Sequence, residues 1–437
     1  MYTIDWVRLF SRPSGRTAQP TADGAPTVVA GQRTTRRRVS PIVWSLGITS
    51  FFTDVSSEMI SSILPIYLVL YLHLSPVAFG AIDGLYQGFA AVARLAGGFV
   101  ADRWRNHKAV ATFGYALSAA CRLGLLAAGN AWSLLAATIA VDRTGKGIRT
   151  APRDAMISLH TDRADLASAF GVHRALDAAG ATLGPLVAFV LFSFTSGAFD
   201  AIFVVSFCVA VIGVGVIGFF VDGSTRASRD APHASFAGTV GLLQIPAFRN
   251  LCVAGTALSL ATISDSFLFL TLQRTVAFGA QYFPLLYVAV AAFNSVFAVP
   301  IGRLADRRGR WRTFLAGHVM LLFVYVAVIA PHTGRFGLVV ALLLSGMYYA
   351  ATDGVLAASA SAALPQHLTG SGLALIATLT NVARLLGSIL FGAAWQLAGV
   401  TNAVWLFAGG LIVALSIAAV VRPRGIVWSI IPPPEGS

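Results

Sequence analysis

Two acidic residues, Asp54 and Glu58, lie four positions apart in an apolar stretch near the start of the chain. This spacing places both carboxyl groups on one face of a helix. Two carboxylates that are close together in a medium of low dielectric constant do not both ionise easily. The pair therefore predicts a group that takes up and releases a proton near neutral pH. The alternative is that one of the two acids forms an ion pair with Arg143 or Lys146 and only holds helices together.

A second set of charged residues lies in a later apolar stretch. The set comprises Asp142, Lys146, Arg149 and Arg153, which advance by four, three and four positions. Such steps place all four side chains on one face of a helix. Charges of this kind are costly against lipid and tolerable against a wet cavity or paired neighbours. We expect Arg149 and Arg153 to belong to a structural ion-pair network, whereas proton coupling and a structural role are equally open for Asp142 and the adjacent Arg143.

The other ionisable residues of the apolar stretches are candidates for proton coupling or for the walls of a cavity. Asp177 lies four positions after His173 and is a further candidate for proton coupling. The cavity candidates are Asp83, Arg94, Asp265, Asp353 and Arg384. In the second half of the chain, structural and substrate-binding roles are equally open, and we consider an ion pair between Asp353 and Arg384.

These residues stand out because the rest of the chain is apolar. Of its 437 residues, 56% are hydrophobic and 11% are charged, and the mean hydropathy is +0.75. Ordinary soluble proteins carry about a quarter charged residues, so most of this surface does not face water. The net charge of +13 comes mainly from arginines in loops between apolar stretches, which is typical of cytoplasmic loops in membrane proteins and not of a nucleic-acid-binding face. We expect no metal site, no cofactor and no nucleic-acid partner.

A membrane-spanning helix needs about 20 apolar residues, and the chain contains twelve candidates. In the first half they lie near 41–70, 77–101, 109–128, 132–157, 167–194 and 200–221. In the second half they lie near 249–273, 282–302, 313–331, 336–361, 370–396 and 402–421. The fold class that this pattern predicts is an all-α integral membrane protein, with twelve transmembrane helices in two pseudo-symmetric six-helix bundles.

The same pattern divides the chain into five parts. They are a disordered basic tail (1–40), an N-terminal bundle (41–221), a polar linker (222–248), a C-terminal bundle (249–421) and a C-terminal tail (422–437). The tails, the linker and two arginine-rich loops carry the positive charge, and the loops on the other side are almost free of it. This asymmetry predicts that both termini are cytoplasmic.

One short motif occurs twice, roughly half a chain apart. The first copy comprises Gly98, Asp102 and Arg103, and the second comprises Gly302, Asp306, Arg307, Gly309 and Arg310. Repeated basic loops between long apolar stretches indicate a duplicated membrane protein. The motif resembles the loop between the second and third helices of each half in the major facilitator superfamily. The second copy fits that pattern well, and the first departs from it, with Arg105 where the family usually has glycine. The resemblance implies that these loops act in gating.

The fifth apolar stretch contains a series of small residues, Gly171, Gly180, Gly184 and Pro185. Glycines at such intervals allow a neighbouring helix to approach closely, and the proline adds a bend. The spacing resembles the fifth-helix motif of proton-exchanging exporters in the same superfamily, apart from Ala188 in place of its final glycine. The structural alternative is that small residues pack helices together in any membrane bundle.

The resemblance covers residues 40–421 and implies a secondary transporter that works by alternating access, and not an enzyme. It favours efflux of a small molecule in exchange for protons, by a monomer in the bilayer of a bacterial inner or plasma membrane. Arg143 and Gly147 also resemble the family's fourth-helix motif, in which such an arginine takes part in proton transfer. One alternative is an importer of an organic anion or siderophore with the same fold. Another, from a different class, is a membrane enzyme or sensor.

Overall fold

The computed structural model describes residues 39–104, 106–129, 131–162, 165–195, 197–222, 240–330, 334–365 and 368–421. Within these ranges the side chains at 90–92, 94–104 and 167 are not described. The predicted tail at 1–40, apart from its last two residues, the predicted tail at 422–437 and most of the predicted linker at 222–248 therefore lie outside the described residues.

The described residues form thirteen α-helices. They are α1 (Pro41–Ile66), α2 (Pro76–Trp104), α3 (His107–Ala128), α4 (Trp132–Leu159), α5 (Leu166–Phe194), α6 (Phe199–Phe220), α7 (Pro246–Leu260), α8 (Asp265–Val276), α9 (Phe283–Arg308), α10 (Arg310–Ile329), α11 (Gly334–Ala362), α12 (Thr369–Ala398) and α13 (Val400–Val420). One turn of π-helix, Tyr67–Tyr71, extends α1. No strand occurs in the part of the chain that the structure describes.

Most of these helices are long and apolar enough to cross a membrane. Nine candidate spans meet that criterion within the described residues, with α7 and α8 counted as one span. The three other long helices, α1, α2 and α4, have 26, 29 and 28 residues, which is also enough to cross. Both α1 and α4 are rich in polar residues, so a measure of apolarity alone misses them.

The same pairs of helices pack together in the N-terminal half (α1–α6) and in the C-terminal half (α7–α13). In the first, α1 packs against α5 and α6, α4 against α2 and α3, and α3 against α6. In the second, α7 packs against α12 and α13, α11 against α9 and α10, and α10 against α13. This correspondence is the structural form of the repeat in the sequence. The two halves meet where α2 packs against α12 and α5 against α9.

The turns define two sides of the molecule. The basic-loop side carries the turns between α2 and α3 and between α9 and α10, and the opposite side carries those at 72–75, 277–282 and 399. On the basic-loop side, Gly309 separates α9 from α10 with a φ of 102°, a conformation that favours glycine. The glycine of the second repeated motif is therefore the residue that lets the chain turn there.

The seventh span differs from the prediction. Instead of one helix over 249–273, α7 ends at Leu260 and α8 begins at Asp265. The hydroxyl of Tyr325 in α10 accepts a hydrogen bond of 2.7 Å from the Ile263 amide and donates one of 3.0 Å to the Ala261 carbonyl. These bonds replace helical hydrogen bonds that the break removes, which makes a break tolerable at membrane depth.

Candidate functional site

The glycines of α5 lie directly on the turns of α1 that carry the two acids. A Cβ atom on Gly184 would lie 2.7 Å from the Val55 carbonyl oxygen and 2.8 Å from the Glu58 Cβ. A Cβ atom on Gly180 would lie 3.2 Å from the Asp54 Cβ. These distances leave no room for a side chain, so α5 approaches α1 at these two positions because they are glycines. Two features predicted separately from the sequence thus form one contact.

The other members of the α5 motif have different surroundings. Gly171 is exposed, and a Cβ atom there would meet nothing within 4 Å. The expectation that Gly171 also admits a close neighbour is therefore wrong in this structure, because Gly171 lies on an exposed face of α5, although the helix contacts Gly47 of α1 at His173 and Leu176. The helix continues past Pro185 to Phe194 without interruption.

Asp54 and Glu58 are both half-buried, and they have different partners. The Glu58 carboxylate accepts a hydrogen bond of 2.6 Å from the Ser61 hydroxyl. Asp54 lies within electrostatic range of Lys146 and Arg149 of α4. Among the described residues neither acid forms an ion pair. The structural alternative, an ion pair with Arg143 or Lys146, is therefore not seen in this state.

Asp142 lies in a buried network of α1, α3 and α4. Its carboxylate pairs with Arg122 of α3 at 3.2 Å and accepts a hydrogen bond of 2.9 Å from Nε of Arg143. Arg122 also donates a hydrogen bond of 2.9 Å to Ser57 of α1. The Arg143 guanidinium lies 3.8 Å from the centre of the Tyr86 ring in α2, which is a cation–π contact. Two arginines on one carboxylate stabilise its charge, so this arrangement favours a structural role for Asp142.

Asp177 lies with His173 and Arg153 nearer the basic-loop side. Its carboxylate is 3.3 Å from Nδ1 of His173 and 3.9 Å from Arg153, which also donates a hydrogen bond of 3.0 Å to Ser50 of α1. Arg149 lies over a tyrosine ring of α3, and one of its terminal nitrogens is buried without a hydrogen-bond partner in the described residues. The charged face of α4 that the sequence predicts therefore contacts α1, α3 and α5. Such contacts are those expected of a structural ion-pair network near the end of a helix.

The second repeated motif joins helices within one half. Asp306 and Arg310 form an exposed ion pair of 3.1 Å, and Arg310 donates a hydrogen bond of 3.4 Å to the Ala358 carbonyl of α11. Arg307 is exposed, and Gly302 has no close neighbour. Gly98, Asp102 and Arg103 of the first motif, and the cavity candidate Arg94, have side chains outside those described. The gating role of both loops stays a prediction.

The cavity candidates of the second half do not pair as considered. No ion pair joins Asp353 and Arg384 in the described part of the chain. Instead, the Asp265 carboxylate accepts a hydrogen bond of 2.7 Å from Tyr349 of α11. Arg384 is half-buried, and its Nε is buried without a partner among the described residues. The sequence contains no signal for the contact between Asp265 and Tyr349.

Asp83 lies at the contact between the two halves and not in an open cavity. It is 6% exposed and accepts a hydrogen bond of 2.7 Å from Ser388 of α12. Sequence reasoning missed Ser388, because a serine in a small-residue helix carries no recognisable signal.

Comparisons with known proteins agree with this architecture. The chain belongs to the Major Facilitator Superfamily, whose family model matches residues 46–388. It is 28% identical over 370 residues to an uncharacterized MFS-type transporter of Methanocaldococcus jannaschii, a match that covers 83% of this chain and 90% of that protein.

Solved structures of transporters share the fold. A mutant of the nucleoside transporter NupG matches with a TM-score of 0.73 and 16% identity, over 87% of this chain and 99% of that one. A bacterial homolog of the human lysosomal transporter Spinster, in an inward-facing and unoccupied conformation, matches with a TM-score of 0.69 and 12% identity, over 87% and 96%. The chain is thus a multi-pass membrane transporter of the MFS type and not an enzyme.

Proposed function

We propose that the chain exports a small molecule in exchange for protons, and that Asp54 and Glu58 carry the proton. The observation that carries this proposal is the packing of Gly180 and Gly184 on the two turns of α1 that bear the acids. A rigid contact at this position couples any movement of α5 to the surroundings of both carboxyl groups. A change in helix packing therefore changes how well these groups hold a proton, which is what exchange requires.

The charges opposite the acids fit the same role. Lys146 and Arg149 lie within electrostatic range of Asp54, and neither forms an ion pair in the described residues. When Asp54 is ionised, these cations stabilise its charge. When it takes up a proton, they become available to other negative charges. The proton affinity of Asp54 therefore depends on how closely α4 lies against α1, and a change in helix packing changes it.

The remaining parts of the proposal concern the setting. The transporter acts as a monomer in the lipid bilayer of a bacterial inner membrane, with six membrane spans in each half and both termini and the linker in the cytoplasm. The support is the repeated helix packing together with the excess of arginine in the tails, the linker and the basic-loop side. Alternating access then means that the two halves open on one side at a time.

The first experiment settles direction. A strain that lacks the protein and one that overproduces it are grown on a panel of toxic compounds, and cell-associated compound is measured. Export predicts more compound in the deletion strain and less in the overproducing strain. The opposite result would identify an importer and reject the proposed direction.

The second experiment tests proton exchange. Proton release on addition of the identified compound is measured near pH 7 with purified protein in detergent. The wild type, Asp54→Asn, Glu58→Gln and the double variant are compared. We expect release to fall in at least one single variant and to disappear in the double variant. Asp200→Asn, which changes an exposed acid at the start of α6, serves as the control and should release protons like the wild type. Undiminished release by the double variant would exclude this pair.

A further inference from the structure

The break in the seventh span places a carboxylate near the middle of the C-terminal half. Asp265 is the first residue of α8, fifteen residues of α7 precede the break, and α8 has twelve. The Asp265 carboxylate accepts one hydrogen bond, from Tyr349, and is half-buried. It therefore keeps capacity for further donors.

A guanidinium lies near this carboxylate without pairing with it. Arg384 stands in the middle of α12, within electrostatic range of Asp265, Asp353, Tyr348 and Tyr349. Among the described residues it forms no ion pair and no hydrogen bond, and its Nε is buried without a partner. A cation within a membrane span that has no partner is costly, and such residues mark substrate pathways.

The opposite charges of this cluster are held apart. Asp265 takes the Tyr349 hydroxyl in place of the guanidinium, and Asp353 also has no ion pair in the described part of the chain. Ionisable side chains within a membrane usually pair with one another or with backbone carbonyls, or else mark a substrate pathway. A cluster with one cation, Arg384, and a carboxylate, Asp265, that both keep hydrogen-bonding capacity instead complements a molecule that itself carries both charges.

The cluster also borders the place where the two halves meet. Leu385, the next residue after Arg384, packs closely against α2. A Cβ atom on Gly84 would lie 2.7 Å from the Leu385 carbonyl oxygen, and one on Gly88 would lie 2.8 Å from the Leu385 Cβ. Asp265 lies within electrostatic range of Asp83 in α2. A ligand bound here touches both halves, which is where transporters of this architecture hold their substrates.

We infer that Arg384 and Asp265 form the two poles of a binding site for a small zwitterionic substrate. Arg384 binds its carboxylate or other anionic group through two parallel N–H bonds, and Asp265, oriented by Tyr349, accepts hydrogen bonds from its ammonium group. This inference deepens the proposed function, because it rests on the transport of a small molecule and names the class of that molecule.

The test is thermal unfolding of the full chain in detergent, since a ligand that binds only the folded protein raises its Tm. The probes are the twenty amino acids and, for each one that raises the Tm, the two single-charge analogues that lack its α-amino group or its carboxyl group. For leucine these analogues are 4-methylpentanoate and 3-methylbutylamine. We expect at least one zwitterion to raise the Tm and its single-charge analogues to have much smaller effects. A panel in which no zwitterion raises the Tm, or in which single-charge probes do so equally well, would overturn the inference.

Variants locate the site. Arg384→Gln and Asp265→Asn should each weaken binding of the active zwitterion at least tenfold, and Arg384→Lys should weaken it less than Arg384→Gln. Arg335→Gln changes an exposed arginine of α11 and should bind like the wild type. The Tm of each variant without ligand shows whether that variant folds. If Arg384→Gln does not fold, the binding affinity of the more conservative Arg384→Lys variant decides whether Arg384 belongs to the site. Wild-type affinity in folded Arg384 and Asp265 variants would reject the site.

The outcome separates this inference from the proposed function. Proton release that depends on Asp54 and Glu58, elicited by a compound of one charge sign, would leave the exchange mechanism standing and reject the zwitterion site. Zwitterion binding that depends on Arg384 without any proton release would support the site and reject the exchange.

Discussion

Ser388 of α12 donates a hydrogen bond of 2.7 Å to the carboxylate of Asp83 in α2, and so joins the two halves of the transporter. Both side chains are buried. A Cβ atom on Gly80, one turn earlier in α2, would lie 2.5 Å from the Ser388 carbonyl oxygen. Nearer the side that lies opposite the basic loops, Phe79 of α2 and Phe267 of α8 also pack edge to face, with ring centres 4.7 Å apart. The two halves are therefore in close contact towards the side of the molecule that lies opposite the basic loops.

This contact predicts that Gly80→Ala weakens closure on the opposite side. The added methyl group has no space against the Ser388 backbone, so α2 and α12 must separate or the contact must shift. Gly215→Ala in α6 is the matched control, because a Cβ atom there meets nothing within 4 Å.

Pulsed electron paramagnetic resonance measures the result. Spin labels at Ser75 and Gln396, which are exposed on the two halves at this end, report their separation in a background with the exposed Cys208 replaced by serine. Gly80→Ala should increase the population with the longer distance, and the control should not. Identical distance distributions for the two variants would mean that the glycine contact does not govern closure.

Gly184→Ala is expected to impair both stability and transport. Its methyl group would lie 2.7 Å from the Val55 carbonyl oxygen and 2.8 Å from the Glu58 Cβ, so α5 must move away from α1. Overpacking of this kind costs about 1–3 kcal/mol. Gly171→Ala is the control within the same helix, because its site is open. Thermal unfolding and uptake by vesicles are measured for both, and equal losses would contradict the role assigned to the α5–α1 contact.

Tyr325→Phe is expected to destabilise the seventh span. The change removes the hydroxyl that bonds the Ile263 amide and the Ala261 carbonyl, and so leaves two backbone groups without partners at membrane depth. Loss of these bonds should cost about 1–3 kcal/mol. Tyr282→Phe removes a half-exposed hydroxyl and should leave the Tm nearly unchanged. If the two variants unfold at the same temperature, other contacts hold the break.

Asp142→Asn should destabilise the protein strongly. It leaves Arg122 and Arg143 without their shared counter-charge in a buried site, and breaking such a pair costs about 3–5 kcal/mol. Asp306→Asn removes an exposed ion pair, which is worth no more than about 1 kcal/mol. Thermal unfolding compares the two variants. A stable Asp142→Asn protein that has lost proton release would move Asp142 from structure into proton coupling.

Sequence reasoning located most of the helices because the length of an apolar run is a property of the chain alone. The predicted span at 167–194 corresponds to α5 (Leu166–Phe194), and the one at 109–128 to α3 (His107–Ala128). The seventh span was the exception. Its break depends on the hydroxyl of Tyr325, more than sixty residues away, and hydropathy carries no information about such a partner.

The contents of the site divide in the same way. The sequence by itself determined the membrane class, the repeat, and the acids and glycines that are candidates for function, because composition, charge asymmetry and helical spacing are local properties. Only the tertiary structure decided that Gly184 packs on Glu58, that Asp265 pairs with Tyr349 and not with a cation, and that Arg384 has no partner among the described residues. It also decided that Asp83 meets Ser388, 305 positions away. Such contacts depend on how helices from different parts of the chain are oriented and packed, and the spacing within one helix does not specify this.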